Sequence, residues 1–416
     1  MRALKKDEIW RIHGPAMLKI IEGKILIHGF IHRKGSKITV PRTRIIVLKV
    51  IEDSIVEVRG EKLDCLVKAR VGEEVIEEWI NICNRILNEK YRKILIVGRV
   101  DSGKTSFTIF LSNMFLQRGL NVCIIDGDIG QADIGPPSTI SMSFLRKPIC
   151  SLRELRAEEM IFIGTDTPSY ALPIIPVAYK MLIDKVKEYG YDVLIINTDG
   201  WILGRNARIL KTSIVNIVKP DLIIVMGMET PLFKWIPTLI VPSPKIFSKR
   251  TFEDRKMLRE MRYSFYLKDS RRRVINIDEI VFLNTLLFSG RPLSDEKRNE
   301  IENILGEKII YGEISEDHLY IITHRNISSE KILLLRKKFN TTRFVKSIPK
   351  NIIENLLVGL LDKNFFCKAI GIIEDIDFME RKIKILTPYT GEIYAIHIGS
   401  IKVDREGREL YKSVTI

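Results

Sequence analysis

With 416 residues, 45% of them hydrophobic and 29% charged, the chain is long enough for two or three domains and has the composition of a globular protein with a sizeable core. No apolar run approaches the roughly 18 residues that span a bilayer, and the opening Met1–Glu8 has no apolar segment, so no membrane partner and no signal peptide are expected. The net charge of +15 favours polyanionic partners, nucleic acid foremost, while five scattered cysteines without a C-x-x-C pair argue against a disulfide or zinc framework and fit a cytoplasmic location.

Residues 1–72 lack helical periodicity. Short β-rich runs (Ala16–Ile21, Lys24–Phe30, Lys37–Val40, Ile45–Val50, Ile55–Val58) are broken by Gly, Pro and Asp, the pattern of a small all-β domain. Gly72–Asn88 follows as a helix, with Val75, Ile76, Trp79, Ile82, Cys83 and Ile86 on one side. Residues 73–290 then alternate between strand and helix. Arg92–Val97, Asn121–Ile125, Met160–Ile163, Val193–Asn197 and Leu222–Met226 read as buried strands, and Thr105–Arg118 and Ala178–Tyr189 as helices. Such alternation predicts an α/β domain with a mostly parallel sheet. After Ser289-Gly290-Arg291-Pro292 the texture changes. Residues 291–416 carry two charged helices (Ser294–Leu305 and Ser328–Phe339) among strand-like runs, a separate α/β or β-rich C-terminal domain.

Four constellations carry chemistry. Gly98-Arg99-Val100-Asp101-Ser102-Gly103-Lys104-Thr105 matches G-x-x-x-x-G-K-[ST] between a predicted strand and a predicted helix, the context the phosphate-binding loop requires. Its glycines let backbone N–H groups curl around phosphate oxygens, and the helix N-terminus adds partial positive charge. Lys104 is placed to reach the β- and γ-phosphates of a nucleoside triphosphate and Thr105 to hold Mg²⁺. Asp126 and Asp128 in Asp126-Gly127-Asp128-Ile129-Gly130-Gln131 end the second buried strand. Either can serve as metal ligand or proton acceptor. Asn197-Thr198-Asp199-Gly200-Trp201 ends another strand as a γ-phosphate sensor, where Trp201 either stacks on a base or packs in the core. Arg255, Arg259 and Arg262, spaced i, i+4, i+7, place an arginine stripe on a basic helix suited to a lid. No [NT]-K-x-D motif occurs (Val218-Lys219-Pro220-Asp221 is the nearest), which argues against a GTPase.

In this order the motifs resemble the polynucleotide 5′-hydroxyl kinases of RNA processing, the family of the tRNA-splicing and pre-rRNA-processing kinases. Gly98–Thr105 resembles the family's D-S-G-K-[ST] loop, Asp126–Gln131 its D-x-D-x-G-Q block, Gly164-Thr165-Asp166-Thr167-Pro168 its G-x-T-T-P loop, Asn197–Gly204 its N-T-x-G-W-x-x-G, and Arg255–Arg262 its R-x-x-x-R-E-x-R lid. The resemblance implies a central P-loop NTPase domain between two smaller domains, and transfer of the γ-phosphate of ATP, with Mg²⁺, to the 5′-OH of RNA, with DNA as a second acceptor class. Gly98, Asp101, Ser102, Gly103, Lys104, Thr105 and Ser106 then hold the nucleotide, and Thr105 and Asp128 the metal. Asp128 is the implied general base, Gln131 and Thr167 hold the substrate backbone, Trp201 stacks on the terminal base, and Arg255, Arg259 and Arg262 close over the phosphates. Asp166 departs from the family's usual threonine and sets a carboxylate where an RNA phosphate is expected. Some members bind ATP as scaffolds of RNA-processing complexes without turnover, which is the alternative reading, with protein partners of that kind.

Overall fold

The computed structural model describes residues 1–412 apart from 43, 62–63, 248 and 340–343. The chain divides into two compact units, Met1–Met257 and Leu258–Ile416.

The first unit opens with a seven-stranded antiparallel sheet. Its two long strands, Ala16–Ile27 and Ile45–Gly60, each join two of the runs read as separate strands in the sequence. The polar breaks between those runs do not make turns. They meet as register shifts between Ile20 and Ile25, where β-bulges absorb the extra residues and bend the pair. Isoleucine, leucine and valine alternate inward along both strands and form the core of this sheet. The helix Ile76–Asn88 (α1) follows, burying Trp79, Cys83 and Ile86.

The second sheet of this unit is built from Lys93–Gly98 (β1), Val122–Gly127 (β2), Thr139–Phe144 (β3), Glu159–Phe162 (β4), Val193–Thr198 (β5), Leu222–Met226 (β6) and Thr238–Val241 (β7), in the order β4-β3-β2-β5-β1-β6-β7. Strands β2, β5, β1, β6 and β7 run parallel. β3 is antiparallel to both β2 and β4. Buried on both faces, the central strands read as continuous apolar runs rather than alternating ones. The helices Lys104–Gln117 (α2), Ile174–Tyr189 (α3) and Arg205–Val218 (α4) belong to this sheet. α2 is buried on more than one side: Phe107, Leu111 and Phe115 are buried, and so are Thr108, Ile109, Phe110, Ser112 and Asn113. The reason is a second neighbour. The N-terminal sheet covers the outer face of α2, with Asn113 Nδ2 donating to His28 O at 2.8 Å and Gln117 Nε2 to Gly29 O at 2.6 Å. α2 thereby fixes the N-terminal domain beside the phosphate loop.

Helix Phe252–Leu267 (α5) contains the division between the units. The second unit holds a seven-stranded sheet, which includes Arg271–Asn276, Leu356–Leu361, Cys367–Asp377 and Ala395–Val403, and a four-stranded sheet with the helices Asp295–Leu305 (α6) and Ser329–Lys338 (α7). The boundary expected near residue 290 falls inside this unit, because Arg271–Asn276 pairs along its whole length with Lys382–Thr387. Among the described residues no helix is long and apolar enough to cross a membrane.

Candidate functional site

The phosphate loop leaves β1 at Gly98 and enters α2 at Lys104. Gly98 (φ +156°) and Gly103 (φ +94°) both adopt backbone angles that disfavour side chains. A Cβ on Gly98 would lie 2.8 Å from Ser102 Oγ, and one on Gly103 2.8 Å from Pro244 Cδ, so the cradle is one that side chains would fill. Ser102 Oγ is buried without a partner among the described residues. The ammonium of Lys104 is buried at the loop and donates to the carbonyls of Gly98 (3.1 Å) and Arg99 (2.7 Å). Burial pushes its pKa down, and the carboxylate of Asp128 opposes that shift. Glycines, lysine and helix N-terminus are the donor set that phosphates need.

Beside the loop lies a cavity of about 170 Å³, lined by Asp101–Ser106, by Trp79 and Phe247, and by His28, Arg44 and Val47 of the N-terminal domain. Trp79 is held edge-on by Phe107 and Phe110 and donates its indole N–H to Pro242 O at 2.9 Å. Arg250 also lines this cavity, where burial and the neighbouring Arg44 push its pKa down and the carboxylate of Asp133 opposes them. Sequence reasoning missed it as an individual. It lies five positions before Arg255, the first arginine of the helical stripe, so spacing did not single it out.

The two aspartates after β2 have different environments. Asp126 is buried and saturated: Oδ2 accepts the backbone N–H groups of Asp133 (2.7 Å) and Ile134 (3.2 Å), and Oδ1 accepts Asn197 Nδ2 (3.0 Å). Burial, with Asp133 adding to it, pushes its carboxyl up to about 7. Asp128 accepts from Gln131 N at 3.1 Å, and its pKa is raised by burial and then by Asp199, with Lys104 opposing. Asp126 therefore anchors the loop, while Asp128 keeps lone pairs free for chemistry. The hydroxyl of Tyr179 on α3 lies where a Cβ on Gly127 would be, 1.7 Å from that position, and is buried without a partner among the described residues. Nothing in the sequence signalled it.

Other expected site residues are placed as follows. Gln131 Nε2 donates to Gly130 O (2.7 Å) and Arg255 O (3.3 Å). Thr167 donates its hydroxyl to Asp166 Oδ1 at 3.1 Å, so the departure at Asp166 occupies the hydroxyl that the family resemblance assigns to the substrate backbone. Trp201 is half-buried, its backbone N–H held by Asp199 Oδ1 at 2.8 Å. Arg255 pairs with Asp101 of the phosphate loop at 2.7 Å. The rest of the arginine stripe has partners of its own. Arg259 forms a buried pair with Glu409 (2.5 and 3.0 Å), and Arg262 lies over the Tyr266 ring and donates to its hydroxyl at 3.2 Å. Among the described residues no group of three or more His, Cys, Asp or Glu forms a metal cage. Mg²⁺ held through phosphates needs only one or two protein oxygens, and Thr105 and Asp128 are of the right type.

A glycine loop between a buried parallel strand and a helix, a buried lysine, and aspartates at the ends of neighbouring strands define a P-loop nucleotide-binding protein. The P-loop model of the mRNA cleavage and polyadenylation factor CLP1 matches residues 98–269. The chain is 31% identical over 362 residues to the polyribonucleotide 5′-hydroxyl-kinase of Pyrococcus horikoshii, covering 82% of this chain and 95% of the relative. It is also 31% identical over 366 residues to that of Methanocaldococcus jannaschii, covering 82% and 96%. The structure of a wild-type Clp1p–Pcf11p complex shares the fold, with a TM-score of 0.65 at 12% identity over 96% of this chain and 97% of that one. The chain belongs to the polyribonucleotide 5′-hydroxyl-kinase family.

Proposed function

We propose that the protein transfers the γ-phosphate of ATP to the 5′-OH of RNA. The observation that carries this reading is the contrast between Asp126 and Asp128. One carboxylate is spent on structure. The other stands at a strand end with open lone pairs beside the buried Lys104, as a general base for a hydroxyl requires. Phosphoryl transfer asks a protein mainly for positioning and charge. The loop N–H groups and Lys104 bind and orient the donor phosphates, with Arg255 at the loop's edge and Arg250 in the adjoining cavity supplying further positive charge. Asp128 takes the proton of the attacking hydroxyl, and Trp201 and Gln131 hold the acceptor end. Thr105 and Asp128 would hold Mg²⁺, which when bound would neutralise part of the triphosphate charge.

The test uses γ-labelled ATP with a 5′-OH oligoribonucleotide and, side by side, its DNA counterpart. Label is expected on the RNA 5′ end. Asp128→Asn is expected to lower transfer by at least about a hundredfold while nucleotide binding persists. Wild-type transfer rates in that variant overturn the assignment of the base. Absence of labelled product with the unmodified protein overturns the kinase reading and leaves an ATP-binding scaffold.

A further inference from the structure

The loop that carries Trp201 is tied down by a group the sequence motifs do not include. Lys211, in the second turn of α4, is 1% exposed. Its ammonium contacts Asp199 Oδ2 at 2.5 Å and Asp199 O at 3.3 Å. The other oxygen of that carboxylate, Oδ1, accepts the backbone N–H of Trp201. Between them, Gly200 lies against the phosphate loop, where a Cβ would come within 2.5 Å of Val100 Cγ2 and 2.7 Å of Val100 N. One continuous set of contacts therefore runs from Lys211 through Asp199 to the Trp201 backbone and, at Gly200, to the loop that holds the donor phosphates.

Stability alone does not account for this pair. Burying an ammonium and a carboxylate costs several kcal/mol for each ion, and well-packed apolar residues of similar volume stabilise as well or better. The ionic version fixes direction: the lysine bonds both the Asp199 side chain and its backbone carbonyl, which determines how the turn leaves β5.

We propose that Lys211 is a positioning residue for the acceptor. Acting through Asp199, it holds the Gly200–Trp201 turn so that Trp201 meets the 5′-terminal nucleotide in register with the donor phosphates. It touches neither substrate. The inference rests on the kinase reading, since it concerns how that reaction's acceptor is held.

The experiment compares the unmodified protein, Lys211→Met and the double variant Asp199→Asn/Lys211→Met. It measures KM for a 5′-OH oligoribonucleotide, Kd for ATP, and thermal stability. Lys211→Met leaves an uncompensated buried carboxylate and melts lower. The double variant removes both charges and recovers stability. In both variants KM for the oligoribonucleotide is expected to rise about tenfold, a loss of about 1.4 kcal/mol, with Kd for ATP within about twofold. If the double variant recovers the unmodified KM along with stability, the pair is only structural and the proposal fails. Equal losses of ATP affinity and acceptor use in either variant also overturn it. Both outcomes are distinct from failure of the kinase reading, which appears as absent transfer in the unmodified protein.

Discussion

At the scale of single residues, two aspartates two positions apart show how burial divides one motif into two tasks. Asp126 accepts three N–H donors, two on one oxygen and one on the other. An asparagine there has one acceptor oxygen only, so its NH₂ must face a donor whichever way the amide is turned. Asp126→Asn is therefore expected to lower stability by about 1–3 kcal/mol, read as a lower Tm. Asp128→Asn is expected to leave Tm nearly unchanged and remove transfer. Had the two variants exchanged these effects, the assignment of anchor and base would be reversed. The pair also marks what was legible in the sequence. The motif located both carboxylates at a strand end but left their roles open, because the partners that saturate Asp126 come partly from Asn197, on a different strand. Lys211 and Tyr179 were not legible at all. Each is one polar residue on a largely apolar helix face, and only packing shows where its tip lies.

At the scale of elements, α5 carries three arginines at helical spacing that the sequence treats as equivalent. The structure separates them. Arg255 pairs with Asp101, both side chains partly exposed, whereas the side chains of Arg259 and Glu409 are only 7% and 3% exposed. A partly exposed pair contributes about 0–1 kcal/mol. Removing one partner of a buried pair strands the other charge and costs about 3–5 kcal/mol. Arg259→Ala is thus expected to destabilise the second unit strongly, with its loss of activity following its loss of fold. Arg255→Ala is expected to keep its Tm and still lose transfer, because it stands at the phosphate loop. Thermal melts beside initial rates separate the two, and a native Tm in Arg259→Ala would falsify the structural role given to that pair. The sequence could not have told these arginines apart, since Glu409 lies 150 positions from Arg259. α2 teaches the same lesson about packing. The helix itself was legible, but its second buried face was not, because the sheet that covers it lies upstream in the N-terminal domain.

At the scale of the whole molecule, 67 Lys and Arg against 52 Asp and Glu give the +15 charge, a surplus that no internal acidic partner can neutralise. Two explanations compete. A general basic surface would attract any polyanion weakly, whereas a built acceptor path would place cations against successive backbone phosphates. They differ in salt response. Each phosphate neutralised on a single strand adds about −0.7 to the slope of log affinity against log salt. An acceptor strand contacted at about three phosphates therefore has a slope near −2, and its affinity falls roughly sixteenfold between 50 and 200 mM salt. The donor site should respond much less, because Lys104 is buried within the loop and screening acts mainly on exposed charges. Oligonucleotide affinity should accordingly drop steeply with salt while ATP affinity changes little, both measured on the same protein by fluorescence anisotropy or calorimetry. The slope should grow as the oligonucleotide lengthens from the 5′ end and then level off once the path is filled. A slope that keeps rising with length would mean diffuse attraction to the surface, and a flat response would mean that the charge surplus plays no part in holding RNA.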